Sequence, residues 1–264
     1  MIALWALPSG MFARSISRRF GIPYTVWLLG SDVWRAGQLP FARQTLTKVL
    51  SDSVGSFADG ATLAKEAEAI TGVYSEFLPS VRKLPPPERR DSPAYDLLFV
   101  GRYHSNKGPD VLLDALALLR GCGRSLKAGL FGSGDLETRL IQKLEDLHLE
   151  DTVDIHPPIS ATHLASALTK AQILVIPSRK ESIPMILGDA IQKQTPVVVS
   201  NVGDLGDIVR RFDLGEVVEP NRPDLLAAGI AKAVDSSMNV ARWEAAQDLF
   251  SPSRAAQKLA APFA

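Results

Sequence analysis

Between residues 96 and 235, short apolar runs alternate with longer amphipathic segments. The run Ile173–Ile176 is apolar at every position, which is typical of a strand buried on both faces of a sheet. Residues 109–119 instead carry leucines at helical spacing, after a proline suited to a first helical turn. By these criteria we predict strands at residues 96–101, 127–131, 153–155, 173–176, 196–200 and 215–218, and helices at residues 109–119, 135–147, 161–170, 184–193, 205–212 and 223–234. This alternation predicts an α/β fold with a parallel sheet covered by helices on both faces.

Residues 79–93 separate this region from the first part of the chain. They read PSVRKLPPPERRDSP, and the consecutive prolines favour stiff, extended backbone over helix. The residues before them predict three or four further strand–helix units, starting from the strand-like MIALWAL. We therefore predict a linker at residues 79–93 that joins two lobes.

Composition and charge narrow the class of protein. The 264 residues allow one large or two ordinary domains, and 46% hydrophobic residues suffice for a core. Lys and Arg balance Asp and Glu at 29 each, so the charge gives no indication of nucleic-acid binding. The single cysteine, Cys122, excludes an internal disulfide and fits a reducing compartment. No apolar run approaches the ~20 residues that span a bilayer, and we expect no signal peptide.

Basic residues and a glycine follow the first predicted strand after the linker. In GRYHSNKG, Arg102 and Lys107 stand beside a helix start that Gly108 opens. The fork of a guanidinium and the unpaired N–H groups of a helix N-terminus both suit a diphosphate. A solvated turn explains the same residues, so both interpretations stay open at this point.

Two further loops follow predicted strands with weaker patterns. In FGSGD, Gly132 and Gly134 let backbone approach a ligand, but the full glycine motif is absent because residue 137 is Glu. We favour a tight turn there, with Asp135 as the N-cap of the next helix. The loop at residues 156–159, His-Pro-Pro-Ile, is also interpreted as a turn rather than as the flank of a nucleobase.

The stretch PSRKESIPMILGDA, residues 177–190, leaves a buried strand and at once brings charge, proline and a helix. Glu181 precedes this helix, Asp189 lies within it, and Ser182 is a candidate N-cap. Two separated carboxylates fit two sets of sugar hydroxyls, whereas the alternative is a capped helix with exposed acids. Because the carboxyl ends of parallel strands meet at one sheet edge, the four loops converge and favour a ligand site.

Five segments in order resemble the retaining glycosyltransferases of family 4. They are LLFVGRYHSNKGPDVLLDALALL, GLFGSGDLETRL, AQILVIPSRKESIPMILGDAI, TPVVVSNVGDLGDIV and LGEVVEPNRPDLLAAGI, and they cover nearly all of residues 96–235. The resemblance implies the GT-B architecture, in which a nucleotide sugar binds between two Rossmann-like lobes. It also implies transfer of a hexose from a nucleotide-diphosphate sugar to a glycan, lipid or small-molecule acceptor, with retention of configuration.

The same resemblance implies roles for individual residues. ESIPMILGD resembles the family element of two acids separated by seven residues, so Glu181 would contact the donor sugar and Asp189 the ribose hydroxyls. Arg102 and Lys107 match the family's basic pair on the donor diphosphate, where they would stabilise charge on the leaving group. The implied catalytic residues are therefore Glu181, Arg102 and Lys107, and the implied donor-binding residues are Gly132, Ile183, Met185, Ile186 and Asp189.

Three positions depart from the family pattern. Asp189 is one methylene shorter than the usual glutamate, and Pro184 removes a backbone N–H donor. In PYTVWLLGSDVW, Leu29 stands where the family often has histidine, although Gly-Ser-Asp still follows it. This last departure puts in doubt an acceptor-side or catalytic role for that loop.

The first lobe is short. A doubly wound lobe usually needs more than ~100 residues, and about 80 precede the linker. We therefore expect that the chain lacks the first part of its N-terminal lobe, either as a fragment or as a divergent short form. We predict a partial acceptor-side lobe with linker at residues 1–88, a nucleotide-sugar-binding lobe at residues 89–238, and closing helices at residues 239–264 that cross back to the first lobe.

The expected partners are a nucleotide-sugar donor and a glycan or lipid acceptor, without nucleic acid. The sequence has no Asp-x-Asp element and no His or Cys cluster with metal spacing, so we expect neither a metal nor a cofactor. We expect a cytoplasmic protein. Arg14, Arg18 and Arg19 on one predicted helix are compatible with peripheral contact with anionic lipid on the inner membrane face, and a solvated helix face is the favoured alternative.

Two alternative functions remain. A catalytically weak or inactive nucleotide-sugar-binding module is consistent with a partial acceptor lobe. An epimerase of GT-B architecture would act on the nucleotide sugar itself. Transfer to an added acceptor separates the transferase from the binding module, and sugar interconversion without acceptor identifies the epimerase.

Overall fold

Parallel strands and helices alternate in the computed structural model, which describes residues 1–36, 39–87, 95–236 and 242–263. The strands are β1 (Ile2–Leu4), β2 (Thr25–Leu28), β3 (Gly55–Ala58), β4 (Glu76–Phe77), β5 (Leu97–Val100), β6 (Ala128–Phe131), β7 (Val153–His156), β8 (Ile173–Ile176), β9 (Val197–Ser200) and β10 (Gly215–Val218). The helices are α1 (Met11–Phe20), α2 (Ser31–Ala36), α3 (Pro40–Ser51), α4 (Ala61–Thr71), α5 (Pro109–Gly121), α6 (Glu137–Asp146), α7 (Ala161–Lys170), α8 (Met185–Lys193), α9 (Leu205–Phe212), α10 (Pro223–Asp235), α11 (Trp243–Leu249) and α12 (Pro252–Ala260). Every strand pair in the described ranges is parallel, which confirms the predicted α/β class.

The chain divides into two compact units. Unit 1 comprises Met1–Val81 and Leu249–Ala264, and unit 2 comprises Arg82–Asp248. The predicted domain limits at 88/89 and 238/239 lie outside the described residues, as does the end of the predicted linker, residues 88–93. Those limits therefore stay a prediction.

Unit 2 contains a six-stranded sheet in the order β7-β6-β5-β8-β9-β10. Its inner strand β8 is buried at all four positions, as expected for an apolar run without alternation. Leu112 and Leu116 of α5 pack in one core cluster with Leu140 of α6 and Ile230 of α10. Because crossover connections are right-handed, α8 and α9, which connect the strands after the reversal of winding, are expected on the opposite face of the sheet, whereas α10 packs against α5.

The predicted elements of unit 2 are confirmed to within two residues at each end. Two N-cap predictions were wrong. The N-cap of α6 is Leu136 rather than Asp135. Asp135 lies instead in the preceding turn, which is closed by a hydrogen bond from the Glu137 N–H to the Gly134 carbonyl oxygen. The N-cap of α8 is Pro184 rather than Ser182, since Pro184 keeps an extended backbone with ψ 139° and the helix begins after it.

Unit 1 contains a four-stranded sheet in the order β1-β2-β3-β4. Val26 of β2 and Leu46 of α3 belong to its main core cluster. Ala255 of α12 packs against Phe57 and Leu78 in a second cluster of the same unit. Within the described ranges, no helix combines the length and apolar character needed to cross a membrane.

Candidate functional site

The strand order of unit 2 creates a crevice at the carboxyl ends of β5 and β8. These two strands are paired neighbours, but the chain leaves β5 towards β6 and leaves β8 towards β9. The connections therefore diverge on the two sides of this pair, and ligands of open parallel sheets bind at such a reversal. The loops that begin here carry the predicted residues Arg102, Lys107 and Glu181.

Tyr103 anchors the loop after β5. Its side chain is fully buried, and its Oη lies 2.7 Å from the carbonyl oxygen of Leu130 and 2.8 Å from that of His156. Burial raises the pKa of Tyr103, so the phenol stays a neutral hydrogen-bond donor at physiological pH. The neighbouring Arg102 is exposed, and its side chain makes no hydrogen bond or ion pair with any residue that the structure describes. A fixed loop thus presents a guanidinium that is free to bind an anion.

Two glycines let the loops at this edge meet backbone to backbone. Gly108 has φ +67°, and a Cβ there would lie 2.1 Å from the carbonyl oxygen of Pro177 in the loop after β8. A Cβ at Gly132, directly after β6, would lie 1.9 Å from the carbonyl oxygen of Gly101. No side chain tolerates such contacts, so only glycine permits this packing. Gly132, a predicted donor-binding residue, is therefore also required by the packing of the loops.

Lys107 and Glu181 form an ion pair between the loop after β5 and the loop after β8. Lys107 Nζ donates a hydrogen bond to Glu181 Oε2, and both side chains are only partly buried. The two residues are 74 positions apart in the sequence. The structure thus brings a cation predicted to bind phosphate next to an acid predicted to contact the sugar.

Arg179 ties three strand ends together, although it was not predicted as a site residue. Its guanidinium donates to the two carboxylate oxygens of Asp110 at 2.8 Å and 2.7 Å, and to the Ser105 carbonyl at 2.7 Å. Arg179 Nε also donates to Asn221 Oδ1 at 2.9 Å, beyond the end of β10. Burial would raise the pKa of Asp110, but the hydrogen bonds and charge of Arg179 outweigh burial and hold that pKa below its usual range. In the sequence, Arg179 is one of three adjacent charged residues, and no pattern distinguishes it from a solvent-exposed side chain.

Asp189 is buried inside unit 2 and is bound to an arginine from outside the predicted motifs. Its side chain is 1% exposed, and its two oxygens accept from Arg82 Nε at 3.0 Å and Arg82 Nη2 at 2.5 Å. The hydrogen bonds from Arg82 to Asp189 raise the pKa of the guanidinium above its usual value. Arg82 lies in the stretch that the sequence assigned to a linker, where no pattern marks it. The ribose contact implied for Asp189 stays a prediction.

The start of α8 carries the remaining predicted donor-binding residues. Ile183 is buried, Ile186 is half-buried and Met185 is exposed at the first helical position. The N–H groups of a first helical turn have no partner within the helix, and they carry a partial positive charge. This backbone follows the carboxyl end of β8, so it can bind an anionic oxygen at the edge that holds Lys107 and Glu181.

A cavity of about 180 Å³ lies at the carboxyl ends of β5, β6 and β7. Its lining consists of Arg82, Val100, Gly101, Arg102, Phe131, Gly132, Ser133, Pro158, Ile159 and Leu164. The loop at residues 156–159, predicted as a plain turn, therefore contributes to a cavity wall. Two guanidinium groups on one small cavity suit a phosphorylated ligand. In the part of the chain that the structure describes, no three His, Cys, Asp or Glu side chains are grouped to hold a metal ion.

The fold and this crevice define unit 2 as a doubly wound α/β unit with a candidate ligand site between β5 and β8, where the direction of winding reverses. The family profile for glycosyl transferases, group 1, matches residues 80–248. The chain belongs to the group 1 glycosyltransferase family. All site residues described above lie within the matched region.

Curated relatives are similar over the same part of the chain. A D-inositol 3-phosphate glycosyltransferase from Streptomyces griseus is 35% identical over 158 residues, which is 56% of this chain and 34% of that protein. One from Arthrobacter is 28% identical over 247 residues, which is 81% of this chain and 57% of that protein. The matched part therefore spans between about a third and somewhat over half of these relatives.

Solved glycosyltransferase structures share the fold. Sucrose-phosphate synthase from Thermosynechococcus elongatus gives a TM-score of 0.80 at 20% identity, over 99% of this chain and 72% of that one. HepE from Anabaena in complex with UDP-glucose gives 0.79 at 15% identity, over 97% and 76%. A variant of TarM from S. aureus, in complex with fondaparinux, alpha-GlcNAc-glycerol and UDP, gives 0.77 at 15% identity, over 99% and 55%. These likenesses confirm the predicted GT-B fold class.

Proposed function

We propose that the protein is a retaining glycosyltransferase of family 4 that transfers a hexose from a nucleotide-diphosphate sugar to an acceptor. The observation that carries the proposal is the convergence of Arg102, Lys107 and Glu181 at the carboxyl ends of β5 and β8. Two cations match the charge of a diphosphate, and an acid lies beside them for the attached sugar. Family membership, and the UDP and UDP-glucose named in the TarM and HepE complexes, support the same class of donor.

In this proposal the basic side chains act on the leaving group. Arg102 and Lys107 form charge-assisted hydrogen bonds to the diphosphate and stabilise the negative charge that develops there during transfer. Phosphate oxygens compete with Glu181 for the ammonium group of Lys107. Donor binding therefore frees the Glu181 carboxylate to accept hydrogen bonds from the sugar hydroxyls.

The acceptor is proposed as a glycan, a lipid or a small molecule. D-inositol 3-phosphate, which the curated relatives carry in their name, is the first small-molecule acceptor to test. We propose a cytoplasmic enzyme, because the only cysteine, Cys122, fits a reducing compartment. We further propose that it uses neither a metal nor a cofactor, since the sequence has no Asp-x-Asp element and no His or Cys cluster with metal spacing.

We also propose peripheral contact of α1 with an anionic lipid surface. Phe12, Ile16 and Phe20 recur at every fourth position and are 69%, 39% and 63% exposed. Arg18 and Arg19 of the same helix are exposed beside them. An apolar stripe with adjacent basic residues suits an interfacial helix better than a fully solvated one.

The test is an assay of the full chain with UDP-glucose, UDP-N-acetylglucosamine and GDP-mannose against a panel of acceptors. We expect acceptor-dependent release of the nucleotide diphosphate, and an α-linked product by NMR from an α-linked donor. Calorimetric donor binding without turnover would favour the binding module, and interconversion of the donor sugar without acceptor would identify an epimerase. A chain that binds no nucleotide diphosphate would refute the proposal.

A further inference from the structure

We infer that Arg82 is a further donor-site residue, and that Asp189 holds Arg82 in place rather than contacting the ribose itself. The inference rests on the proposed function, because the ligand is the diphosphate of the donor. It assigns a different role to Asp189 from the one implied by the family resemblance. The cation that binds the donor would then come from residues 79–93, which the sequence pattern predicts only as a linker.

The exposure of the two partners decides which of them can reach a ligand. The Asp189 side chain is 1% exposed, whereas the Arg82 side chain is 42% exposed. Arg82 lines the cavity of about 180 Å³ together with Arg102 and Gly132, and Asp189 does not line it. A ligand in this cavity therefore meets the guanidinium of Arg82 before it can meet the carboxylate.

The hydrogen bonds of Arg82 leave one edge of its guanidinium available. Nε and Nη2 both donate to Asp189, and Nη1 has no hydrogen-bond partner among the described residues. A guanidinium is planar and carries five N–H groups in a fixed fork. When a carboxylate occupies the Nε–Nη2 edge, the Nη1 edge points away from it and can donate to another anion.

The backbone around Arg82 is held by the same helix that carries Asp189. Gln192 Nε2 donates to the Arg82 carbonyl at 2.6 Å, and Gln192 Oε1 accepts from the Leu84 N–H at 3.1 Å. Lys193 Nζ donates to the Pro85 carbonyl at 3.3 Å. Arg82 is therefore fixed through both its main chain and its side chain, which lowers the entropic cost of binding a ligand.

Displacement of Arg82 by the donor is disfavoured by the burial of Asp189. Removing the cation from the buried Asp189 carboxylate leaves an uncompensated buried charge, and the neutral hydroxyls of a ribose do not replace that cation. Arg82 therefore stays paired while the donor binds. Because charge-assisted hydrogen bonds favour anionic oxygens over hydroxyls, the Nη1 edge recognises a phosphate group, together with Arg102 on the same cavity.

Calorimetry of the full chain with UDP, uridine and 3′-deoxy-UDP tests this inference. We expect Arg82→Gln and Asp189→Asn each to weaken UDP binding about 10- to 100-fold, the range for a charge-assisted contact. Uridine binding should not change, and both variants should lose the same factor for UDP and for 3′-deoxy-UDP. The double variant should bind UDP no more weakly than either single variant, since the two residues act as one unit.

Two controls keep folding apart from binding. The first control is Arg120→Gln, which removes a comparable pair of hydrogen bonds between an arginine and an aspartate, Asp151. Arg120 lies at the C-terminal end of α5, at the sheet edge opposite the candidate site, so this variant should bind UDP like the wild type. The second control applies if a single variant does not fold. In that case UDP binding by the double variant Arg82→Gln/Asp189→Asn tests the inference, because this variant leaves no unpaired buried charge. Weak UDP binding by a double variant with the wild-type melting temperature supports the inference, and wild-type affinity overturns it.

A contact between Asp189 and the ribose would give a different pattern. Asp189→Asn would then abolish the preference for UDP over 3′-deoxy-UDP, and Arg82→Gln would leave UDP affinity unchanged. That result overturns the inference while Arg102→Ala still weakens UDP binding, so the proposed function survives. A wild-type chain that binds neither UDP nor GDP overturns both.

Discussion

Unit 1 and unit 2 use the same alternation of strand and helix, but only unit 2 reverses the direction of winding. In unit 2 the connections diverge between β5 and β8, and the crevice with its charged loops forms at that point. In unit 1 each strand of the order β1-β2-β3-β4 pairs with the next along the chain, so the described strands contain no reversal. Alternation predicts the class of fold, whereas the order of the strands determines where a ligand can bind.

The two units also differ in the chemistry of their cavities. The cavity in unit 2 carries the guanidinium groups of Arg82 and Arg102. Unit 1 has a cavity of about 360 Å³ that is lined mainly by apolar side chains, with Asp32 at its wall. Asp32 is buried, burial raises its pKa, and its Oδ2 accepts from the Ala6 N–H at 2.7 Å. An anionic ligand is therefore expected in unit 2 and not in unit 1.

The largest expected effect comes from Glu181 in unit 2. Glu181→Ala should lower the rate of transfer by about 10²–10³, which is typical for loss of one electrostatic partner of the reacting group. Binding of UDP alone should not weaken, because the expected contact of Glu181 is with the sugar and Glu181 competes with phosphate for Lys107. Steady-state kinetics and calorimetry measure the two quantities. The matched control is Glu145→Ala, which removes an exposed glutamate of α6 and should not change the rate of transfer. Near-full turnover by a folded Glu181→Ala variant would refute the role assigned to Glu181.

The next effect tests whether the anion site belongs to unit 2 alone. Arg102→Ala and Lys107→Ala should each weaken UDP binding by roughly 1.5–3 kcal/mol, with much smaller losses for uridine. Lys127→Ala removes a cation next to the amino end of β6, at the opposite sheet edge, and should have no effect. Asp32→Asn in unit 1 should also leave UDP affinity unchanged. Equal losses for UDP and uridine, or a loss with Asp32→Asn, would break the comparison between the units.

A smaller effect is expected at the apolar surface of unit 1. The double variant Phe12→Ser/Phe20→Ser should weaken binding to vesicles rich in anionic lipid by about tenfold, because an interfacial helix buries only part of each ring and gains only a fraction of the roughly 1.5–3 kcal/mol that full burial of a phenylalanine contributes. Vesicle sedimentation measures this binding. Leu118→Ser changes an exposed apolar residue of unit 2 and serves as the control. Unchanged vesicle binding of the double variant would leave α1 as a solvated helix.

The smallest effect concerns the pair that joins the loops of unit 2. Arg179→Gln should lower the free energy of unfolding at pH 7 by about 1 kcal/mol, which is the upper range for a partly exposed pair. The folded pKa of Asp110 is depressed, so this contribution is present above the unfolded pKa of about 3.9 and is lost as the pH falls through the folded pKa. Urea unfolding at pH 7 and below pH 4 should show the difference from wild type shrinking in acid. Arg210→Gln breaks an exposed pair with Asp207 and should show no such difference at either pH.

Prediction from the sequence succeeded where the pattern is local. The strands of unit 2 are nearly continuous apolar runs and its helices have one apolar side, so their ends were placed to within two residues. The N-caps at Asp135 and Ser182 were wrong, because the preceding turn and Pro184 shift the first helical residue. A cap depends on backbone angles that a preference for certain residue types does not determine.

The sequence by itself determined the α/β class, the loops that follow the strands, and the residues in them that carry charge. Arg102, Lys107 and Glu181 could be singled out because each follows an apolar strand within a few residues. Only the tertiary structure decided that β5 and β8 are neighbours and that Lys107 meets Glu181. It alone supplied the partners of Asp189 and Arg179, which lie 107 and 69 residues away at Arg82 and Asp110. The physical reason is that strand order and long-range ion pairs arise from packing the whole chain, and a local pattern of polar and apolar residues is compatible with several such arrangements.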